Sequence, residues 1–494
     1  MPARWCVLPD LSRLSNLFGC LSGVNLRNVV DRESRPCEAS VTDRSRASPE
    51  ASFLVELFTR LNAESLLYCV VGEHSGLPYD LRGSDVDILV SPSAMAKALQ
   101  ILRAAAAAHG GRCISRYSVE GAITCWCGKT EQWWGAHVDV FPCCGYRGLP
   151  YIAIDEILQN AKEWNGLWVA SDEDSALYLI LKECIYNARD RKNYAALARH
   201  AYGTSPDRIT KLLKVTLGDD VASLWIHFLS SGGDSKAIER LSRVSRRALW
   251  LRELRSRPLH TLSRRARNLA RRLGRVPRKA GAAVVVMGTD GSGKTTLVAG
   301  LVPHLMSALH HRPRCEHMRP NLLPRLGRLF GRPAPKGPVT DPHGSRPSGF
   351  AGSLLRLAYY TADYVLGYWL KVYPAMVKRP TIWIFDRYFY DYYIDPARGR
   401  IRLPKWIIRF FSVLVPKPDV ILCLGADPEV IHRRKPELLL EEVRRQVDEL
   451  RRFCEGNPRA VFIDVGRPVE ECVDRALDAI TERMARRYGW PDGD

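Results

Sequence analysis

Long apolar runs free of charge are missing from this 494-residue chain. The most apolar long stretch, residues 354–376, contains Arg356, Asp363 and Lys371. A membrane-spanning helix needs about 20 consecutive, predominantly apolar residues, and three charges within the span disfavour it. The stretch therefore predicts a buried helix of a globular protein rather than a bilayer span.

A secretory signal and a disulfide framework are also missing. Arg4, Asp10 and Arg13 interrupt the apolar runs at the N-terminus, so we expect no secretory signal. The fourteen cysteines are scattered and lack the dense, regular spacing of a small secreted scaffold, which favours reduced thiols. Together these absences predict a cytoplasmic protein.

Acidic residues are nearly absent from one 40-residue stretch. Residues 241–280 contain 14 Lys and Arg but a single acid, Glu253, and so hold +13 of the chain's net charge of +20. Within the segment 256–281, five apolar residues recur at helical spacing on one face. They are Leu262, Ala266, Leu269, Leu273 and Val276. Such a basic amphipathic helix either binds an anionic membrane surface or nucleic acid, or is a linker helix docked on its own protein.

Changes in residue patterning divide the remaining chain into four regions. Residues 1–50 are rich in Ser, Arg, Asp and Pro with little periodicity, which predicts a disordered tail. Residues 51–150 mix strand-like and helical patterns, and residues 151–255 have long amphipathic patterns that predict a helical region. In residues 282–494 strands alternate with helices, which predicts an α/β domain with a parallel sheet covered on both faces.

Seven short apolar runs predict the strands of the two mixed regions. Three lie in the first region, at 66–72, 86–90 and 137–141. Four lie in the last region, at 282–288, 381–385, 419–424 and 460–464.

The strongest chemical signal is the sequence GTDGSGKTT at 288–296, which fits the phosphate-loop pattern G-x-x-x-x-G-K-[ST]. Its glycines let backbone N–H groups turn toward phosphate oxygens, and the following helix directs its positive end at the same anion. We expect Lys294 to reach the β- and γ-phosphates of ATP and the Thr295 hydroxyl to ligate Mg²⁺. The predicted nucleotide contacts are Gly288, Asp290, Gly291, Ser292, Gly293, Lys294, Thr295 and Thr296.

A second signal, FDRYFYDYY, follows the predicted strand 381–385. Asp386 and Arg387 would then lie at a strand's carboxyl end, where open parallel sheets bind ligands. Asp386 is a candidate for holding the water shell of Mg²⁺, and Arg387 for binding the phosphate of an acceptor. The alternative is a structural ion pair at the strand end.

The phosphate loop followed by a strand that ends in Asp-Arg-Tyr resembles the thymidylate kinase family of P-loop kinases. The resemblance covers about residues 282–490. It implies an ATP-dependent phosphotransferase that acts on a small phosphorylated acceptor and assembles as a homodimer. It also implies that Asp290 contacts the acceptor's sugar and that Arg387 binds the acceptor's phosphate.

Two further segments match parts of this family. HMRPN (317–321) stands where the family has an Arg-Glu-Pro turn, which makes Arg319 a second candidate for the acceptor anion. DPEVIHRRKPE (427–437) matches the family's mobile lid, and the phosphate loop itself has no arginine. The resemblance therefore implies that Arg433 and Arg434 stabilise the charge that develops on the transferring phosphoryl.

Other segments depart from the family. The chain lacks the Ser…Ala-Tyr-Gln run that follows Asp-Arg-Tyr and serves the base, and it has a Gly-, Pro- and Arg-rich insertion at 322–350. Thymidine monophosphate is therefore one candidate acceptor, and phosphorylated sugars and polyol phosphates are others.

Carboxylates form the second chemical pattern, in the region 51–150. Asp85 and Asp87 alternate with apolar residues, so a strand places them on one face, and Asp139 lies on another predicted strand. Three such acids are suited to one or two Mg²⁺ ions. With Gly72 before them, their order resembles the nucleotidyltransferase superfamily typified by polymerase β, which implies an α+β domain followed by helices. Glu73 stands where that family has Ser or Gly, and a Ser there helps to bind the triphosphate. The domain is therefore either an active nucleotidyltransferase or a degenerate one that binds without reacting.

Four functions remain open from the sequence. The first is a P-loop phosphotransferase that uses MgATP, and the second is a thymidylate kinase proper with a regulatory front half. The third is a nucleotidyltransferase that acts through the three carboxylates. The fourth is an ATP-gated binding protein tethered by the basic helix.

Overall fold

Two β-sheets organise the molecule. The computed structural model describes residues 48–488 except 82, 119–120, 153, 183–184, 186–193, 233–234, 325, 327–348 and 397. A seven-stranded sheet uses residues between 68 and 169, and a five-stranded sheet uses residues between 282 and 464. Residues 1–47 of the predicted tail and nearly all of the insertion at 322–350 lie outside the described residues. Pro49 and Glu50, assigned to the tail, instead begin the first helix.

The first sheet mixes parallel and antiparallel pairs, in the order β3-β4-β5-β2-β1-β9-β8. Helices α1 and α2 cover one of its faces, because Phe53, Leu57 and Leu102 join a core with Val70 and Trp134. A separate hairpin, β6–β7, follows it. The bounds are α1 Pro49–Ala63, β1 Tyr68–Val71, β2 Val86–Val90, α2 Met95–Ala108, β3 Gly111–Ser118, β4 Ala122–Lys129, β5 Trp133–Phe141, β6 Cys144–Tyr146, β7 Leu149–Ile152, β8 Lys162–Trp164 and β9 Leu167–Val169.

The region predicted to be helical from 151 to 255 differs at its start. Strands β8 and β9 form a hairpin there, and β9 adds to the sheet beside β1 in parallel. Asn165 and Gly166 connect them with φ of +46° and +79°, the conformation that an Asn-Gly hairpin turn requires. This local turn signal outweighs the helical patterning around it. The helices that follow are α3 Ile154–Gln159, α4 Asp172–Leu181, α5 Tyr194–Thr204, α6 Pro206–Leu217, α7 Asp219–Ser231, α8 Ser235–Ser256 and α9 Pro258–Gly274.

The second sheet is entirely parallel, as predicted, with the order β11-β12-β10-β13-β14. Strand β10 is central, and its apolar run is buried throughout because helices cover both faces of the sheet. The strands are β10 Ala282–Gly288, β11 Arg314–His317, β12 Ile382–Asp386, β13 Val420–Gly425 and β14 Ala460–Asp464. The helices are α10 Lys294–Leu309, α11 Phe350–Gly367, α12 Tyr373–Lys378, α13 Asp391–Ile394, α14 Lys405–Leu414, α15 Pro428–Arg434, α16 Leu440–Glu455 and α17 Val469–Ala485.

The apolar stretch 354–376 forms α11, a π-helical turn at Tyr368–Val372 and the start of α12. Leu357, Tyr364 and Val372 are buried against the parallel sheet, whereas Leu355, Trp369 and Leu370 are exposed, so the stretch buries one face only. Among the described helices, none has an apolar segment of the length and low charge that crossing a bilayer requires.

Helices α10 and α17 of the parallel sheet also cover the second face of the mixed sheet. Cys125 and Cys127 of β4 share a core with Leu305 and Leu309 of α10. The approach is so close that a Cβ at Gly135 would lie 2.5 Å from the Ala308 nitrogen. The two sheets therefore share one core along α10.

Candidate functional site

The phosphate loop connects the central strand β10 to α10, and its glycines are required by its shape. Gly291 and Gly293 have φ of +83° and +78°, where a side chain strains the backbone. A Cβ at Gly288 would overlap Ser292 Oγ and lie 2.8 Å from the Leu424 carbonyl oxygen. Glycine is therefore favoured by close contact at Gly288 and by backbone conformation at Gly291 and Gly293, and the sequence pattern predicts it at Gly288 and Gly293.

Lys294 begins α10 and folds back over the loop. Its Nζ donates to the carbonyl oxygens of Gly288, at 3.0 Å, and Thr289, at 2.8 Å. Burial, together with the nearby Arg387, lowers the pKa of Lys294 to about 7. Within the described part of the chain, the buried hydroxyls of Thr289 and Ser292 have no hydrogen-bond partner. Unsatisfied hydroxyls and a lysine held only by carbonyls fit a loop built to receive phosphate oxygens.

Asp386 lies beside the loop at the end of β12. Parallel pairing sets Asp386 opposite Val286 of β10 and opposite His317 of β11. Its Oδ2 is 3.4 Å from His317 Nδ1, and its Oδ1 is buried without a hydrogen-bond partner among the described residues. Although desolvation opposes ionisation, His317 and Lys294 hold the pKa of Asp386 below its ordinary value. A charged carboxylate with a free oxygen beside the loop is suited to a divalent cation or its water shell.

Arg387 follows in a strained conformation and is almost fully buried. Its φ is +71°, and its backbone N–H donates to the Val286 carbonyl at 2.9 Å. Nη2 donates to Asp290 Oδ1 at 2.6 Å, and Nη1 donates to Asp391 Oδ2 at 2.7 Å. Desolvation would lower the pKa of Arg387, but Asp391 and Asp290 raise it, so the guanidinium stays charged.

Asp290 of the loop is shared by two arginines, since Arg398 pairs with its other oxygen. Burial opposes ionisation of Asp290, but Arg387 and Arg398 outweigh it and lower its pKa to about 2. Arg398 is itself positioned by Asp395, which accepts from its Nε at 3.3 Å. The result is a fixed cluster of acids and arginines within reach of the phosphate loop.

A cavity of about 590 Å³ opens over the loop and this cluster. Loop residues 290–297 line it together with Asp386 and Arg387. Four further basic side chains line the cavity, and the sequence interpretation assigned none of them to the site. They are His317, Arg398, Lys435 and Arg467. The cavity is therefore strongly cationic, as a site for two phosphorylated ligands requires.

The remaining predicted residues fall into two groups. Thr295, Thr296 and Arg434 line the cavity, and the lid segment contacts the loop because a Cβ at Gly291 would lie 2.9 Å from Lys435 Cβ. Arg433 and Arg319 do not belong to its lining.

Arg319 instead has a partner in the protein interior. Its Nη1 donates to the fully buried Asp363 at 2.9 Å, and its guanidinium lies 4.7 Å from the centre of the Tyr360 ring. This pairing gives Arg319 a structural role, and its contact with the acceptor remains a prediction.

Comparison with known proteins bears on part of the molecule. No family model matches the chain. A protein of Pyrobaculum calidifontis named probable thymidylate kinase is 32% identical over 211 residues, which cover 97% of that protein and 41% of this chain. The chain belongs to the thymidylate kinase family. A probable thymidylate kinase of Pyrobaculum aerophilum is 29% identical over 151 residues, 68% of that protein and 31% of this chain. More than half of the chain thus has no counterpart in these thymidylate kinases.

The three predicted carboxylates of the mixed sheet meet at a second site. Asp87 of β2 is the register partner of Asp139 of β5, and ligand atoms of Asp85, Asp87 and Asp139 all lie within 4.8 Å of one another. Asp85 immediately precedes β2 rather than lying on it, because the strand begins at Val86. Asp87 and Asp139 are buried, whereas Asp85 is exposed.

A lysine that the sequence interpretation missed neutralises part of this charge. Lys182, one residue after α4, donates to Asp87, and its pKa is raised because the nearby carboxylates outweigh its desolvation. Desolvation together with Asp85 and Asp139 still raises the pKa of Asp87 to about 7. Although desolvation opposes it, Asp139 raises the pKa of His137, so Lys182 and His137 both offset charge of the three carboxylates.

Histidines connect this site to the phosphate-loop helix. His137 Nε2 lies 3.0 Å from Asp139 Oδ1, and the ring of His310 lies 5.2 Å from that of His137. His310 caps the end of α10, the helix that begins at Lys294. Its 16 residues span about 24 Å, so one helix joins the two candidate sites.

The glycine turn of the mixed sheet opens on a different cavity. Gly72 has φ of +95° and lines a cavity of about 580 Å³ with Glu73 and Ser84. Asp172 and Glu173 line it as well. Three acids in one cavity disfavour a triphosphate unless a cation accompanies it.

Proposed function

We propose that the part of the chain between 282 and 494 is an ATP-dependent kinase. It transfers the γ-phosphoryl of MgATP to a nucleoside monophosphate or to another phosphorylated acceptor, with thymidine monophosphate as the first candidate. The observation that carries the proposal is that the phosphate loop, Asp386 and the arginine cluster line one cavity of about 590 Å³.

The residues divide between the two ligands. Backbone N–H groups of the loop and Lys294 bind the β- and γ-phosphates, and Thr295 with Asp386 would hold the Mg²⁺. When bound, MgATP supplies the phosphoryl group and a cation that neutralises the phosphate oxygens. Lys294 exchanges its two carbonyl acceptors for phosphate oxygens, which restores its full charge.

The acceptor phosphate binds at the arginine cluster. Arg398 is the more accessible arginine, with 22% of its side chain exposed, against 4% for Arg387. An incoming phosphate competes with Asp290 for Arg398, while Asp391 keeps Arg387 fixed in place. Arg434 and Lys435, on the segment that touches the loop, would neutralise charge on the transferring phosphoryl.

A label-transfer assay tests the proposal. The full-length protein is incubated with γ-labelled ATP, Mg²⁺ and a panel of nucleoside monophosphates, sugar phosphates and polyol phosphates. We expect one class to acquire the label, and Lys294→Met to abolish transfer. The matched control is Lys236→Met, which removes an exposed lysine of α8. Release of label as inorganic phosphate with every acceptor would contradict the proposal.

We also propose that the chain divides as its patterning predicts, into regions 51–150, 151–255, 256–281 and 282–494. The two sheets use separate parts of the chain, which supports this division even though they share a core along α10. Strands β8 and β9 extend the first unit to residue 169. The homodimer implied by the family stays a prediction.

Nucleotidyl transfer by the front region is a second candidate function, favoured by the convergence of Asp85, Asp87 and Asp139. Asp87 Oδ1 is buried without a hydrogen-bond partner in the described chain, which fits a divalent cation, whereas Asp139 Oδ1 lies 3.0 Å from His137 Nε2. Titration with Mn²⁺ followed by electron paramagnetic resonance, together with incorporation of α-labelled nucleotide, tests it. Asp139→Asn should abolish both signals, and incorporation that survives this change would rule the site out.

A further inference from the structure

Helix α9 exposes the side that an amphipathic helix normally buries. Its four leucines are open to solvent: Leu259 by 82%, Leu262 by 52%, Leu269 by 57% and Leu273 by 61%. Val276, just beyond the helix, continues the stripe at 49%. A surface helix of a globular protein ordinarily turns such a stripe to its core, and contiguous exposed apolar surface marks an interaction site.

Polar contacts hold the opposite side of α9 on the protein. Thr261 is buried and donates to the Glu253 carbonyl at 2.9 Å, and Asn268 is buried as well. The Arg265 guanidinium lies 4.7 Å from the centre of the Trp250 ring. Just after the helix, Arg275 donates to the Ser118 carbonyl at 2.7 Å. The helix is therefore fixed with its leucines turned outward.

Positive charge borders the leucine stripe. Arg267, Arg271 and Arg272 are exposed, and helical spacing places Arg267 and Arg272 on opposite sides of the stripe. No Asp or Glu occurs between Glu253 and Asp290. An apolar stripe that is bordered by arginines and free of acids complements a surface with an apolar interior and an anionic outer layer.

We propose that α9 is a membrane-docking surface that binds bilayers containing anionic lipids. The leucines enter the boundary between headgroups and acyl chains, and the arginines contact the lipid phosphates. Nucleic acid fits the helix less well, because it would use the arginines and leave the leucines in water. The helix PLHTLSRRARNLARRLG also has no Phe, Tyr or Trp on which bases could stack.

Vesicle co-sedimentation of the full-length protein tests the proposal. Vesicles of phosphatidylcholine alone are compared with vesicles that also contain phosphatidylglycerol. We expect binding to the anionic vesicles only, weakening as salt is raised. Leu262→Asp with Leu269→Asp should abolish it. Arg267→Gln with Arg272→Gln should weaken it by about fivefold per charge at low salt, or roughly 25-fold.

A second exposed apolar face supplies the matched control. Helix α14 exposes Trp406 and Phe410, by 70% and 64%. The variant Trp406→Ser with Phe410→Ser should bind anionic vesicles as the wild type does. Since all the altered side chains are exposed, thermal unfolding and kinase turnover in solution should be unchanged in every variant.

Three outcomes overturn the proposal. One is absence of binding, or equal binding to neutral vesicles. Another is loss of binding in the α14 variant with retention in the leucine variant. The third is salt-sensitive binding of single- or double-stranded RNA that needs the arginines but survives the leucine changes, with no vesicle binding, which would make α9 a nucleic-acid surface.

Discussion

Replacing Arg387 with methionine removes a buried guanidinium that pairs with Asp290 at 2.6 Å and with Asp391 at 2.7 Å. Asp290 keeps Arg398, but the buried Asp391 is left without a cation. Removing one partner of a buried pair destabilises a protein by about 3–5 kcal/mol. We expect the free energy of unfolding to fall by that amount. Methionine also keeps a side chain at φ of +71°, so the backbone strain does not change.

A double-mutant cycle separates the structural role of Arg387 from its role at the site. Asp391→Asn alone should destabilise the protein, since it leaves Arg387 with a single acid. The double variant should lose less stability than the two singles together, by about 1–3 kcal/mol, because neither charge is then left unpaired. Urea denaturation measures all four proteins.

Activity should not follow stability through this cycle. The double variant lacks the guanidinium that positions the acceptor phosphate, so kcat/KM should stay at least about 100-fold down, as for loss of one preorganised charge contact. Recovery of both stability and activity in the double variant would show that the arginine is only a structural ion pair. An undiminished stability in Arg387→Met would contradict the buried geometry itself.

Other substitutions probe the remaining contacts. Because the pKa of Lys294 is lowered to about 7 and a polyphosphate raises it, ATP binding above that pH should take up protons. Equal calorimetric enthalpies in buffers of different ionisation enthalpy would contradict this. Arg398→Gln should raise KM for the acceptor by about 10- to 100-fold and leave KM for ATP unchanged, as for loss of a charged hydrogen bond; a change in KM for ATP alone would refute it. Lys182→Met leaves Asp87 and its neighbouring acids unneutralised, so unfolding free energy should fall by about 3 kcal/mol and Mn²⁺ should restore it; failure of Mn²⁺ to restore stability would argue against a metal site.

The sequence predicts the parallel sheet and the phosphate loop well, for physical reasons. Strands buried on both faces must be apolar throughout, so AAVVVMG at 282–288 coincides with β10. AVFID at 460–464 coincides with the edge strand β14, although that strand is only partly buried. The loop at 288–296 needs glycine at fixed places whatever surrounds it. The position of Asp386 at the site could be predicted because this residue ends β12, the strand beside the central strand β10.

Contacts between residues that are far apart in the chain could not be predicted from the sequence. Arg398 enters the cavity because it pairs with Asp290, a residue 108 positions earlier in the chain. Lys182 reaches Asp87 from a different element in the same way. The spacing in α9 identifies an apolar stripe, but which face the helix buries depends on Trp250 and Ser118 on neighbouring elements.

A bisubstrate analogue tests most directly whether nucleotide and acceptor share one cavity. The analogue joins adenosine, through a polyphosphate, to the acceptor that the label-transfer assay identifies, and calorimetry compares its affinity with that of ATP. We predict binding at least about 100-fold tighter than that of ATP, because one molecule fills both phosphate sites. Arg398→Gln should remove most of that advantage. An analogue that binds no more tightly than ATP, in both the wild type and this variant, would contradict the account.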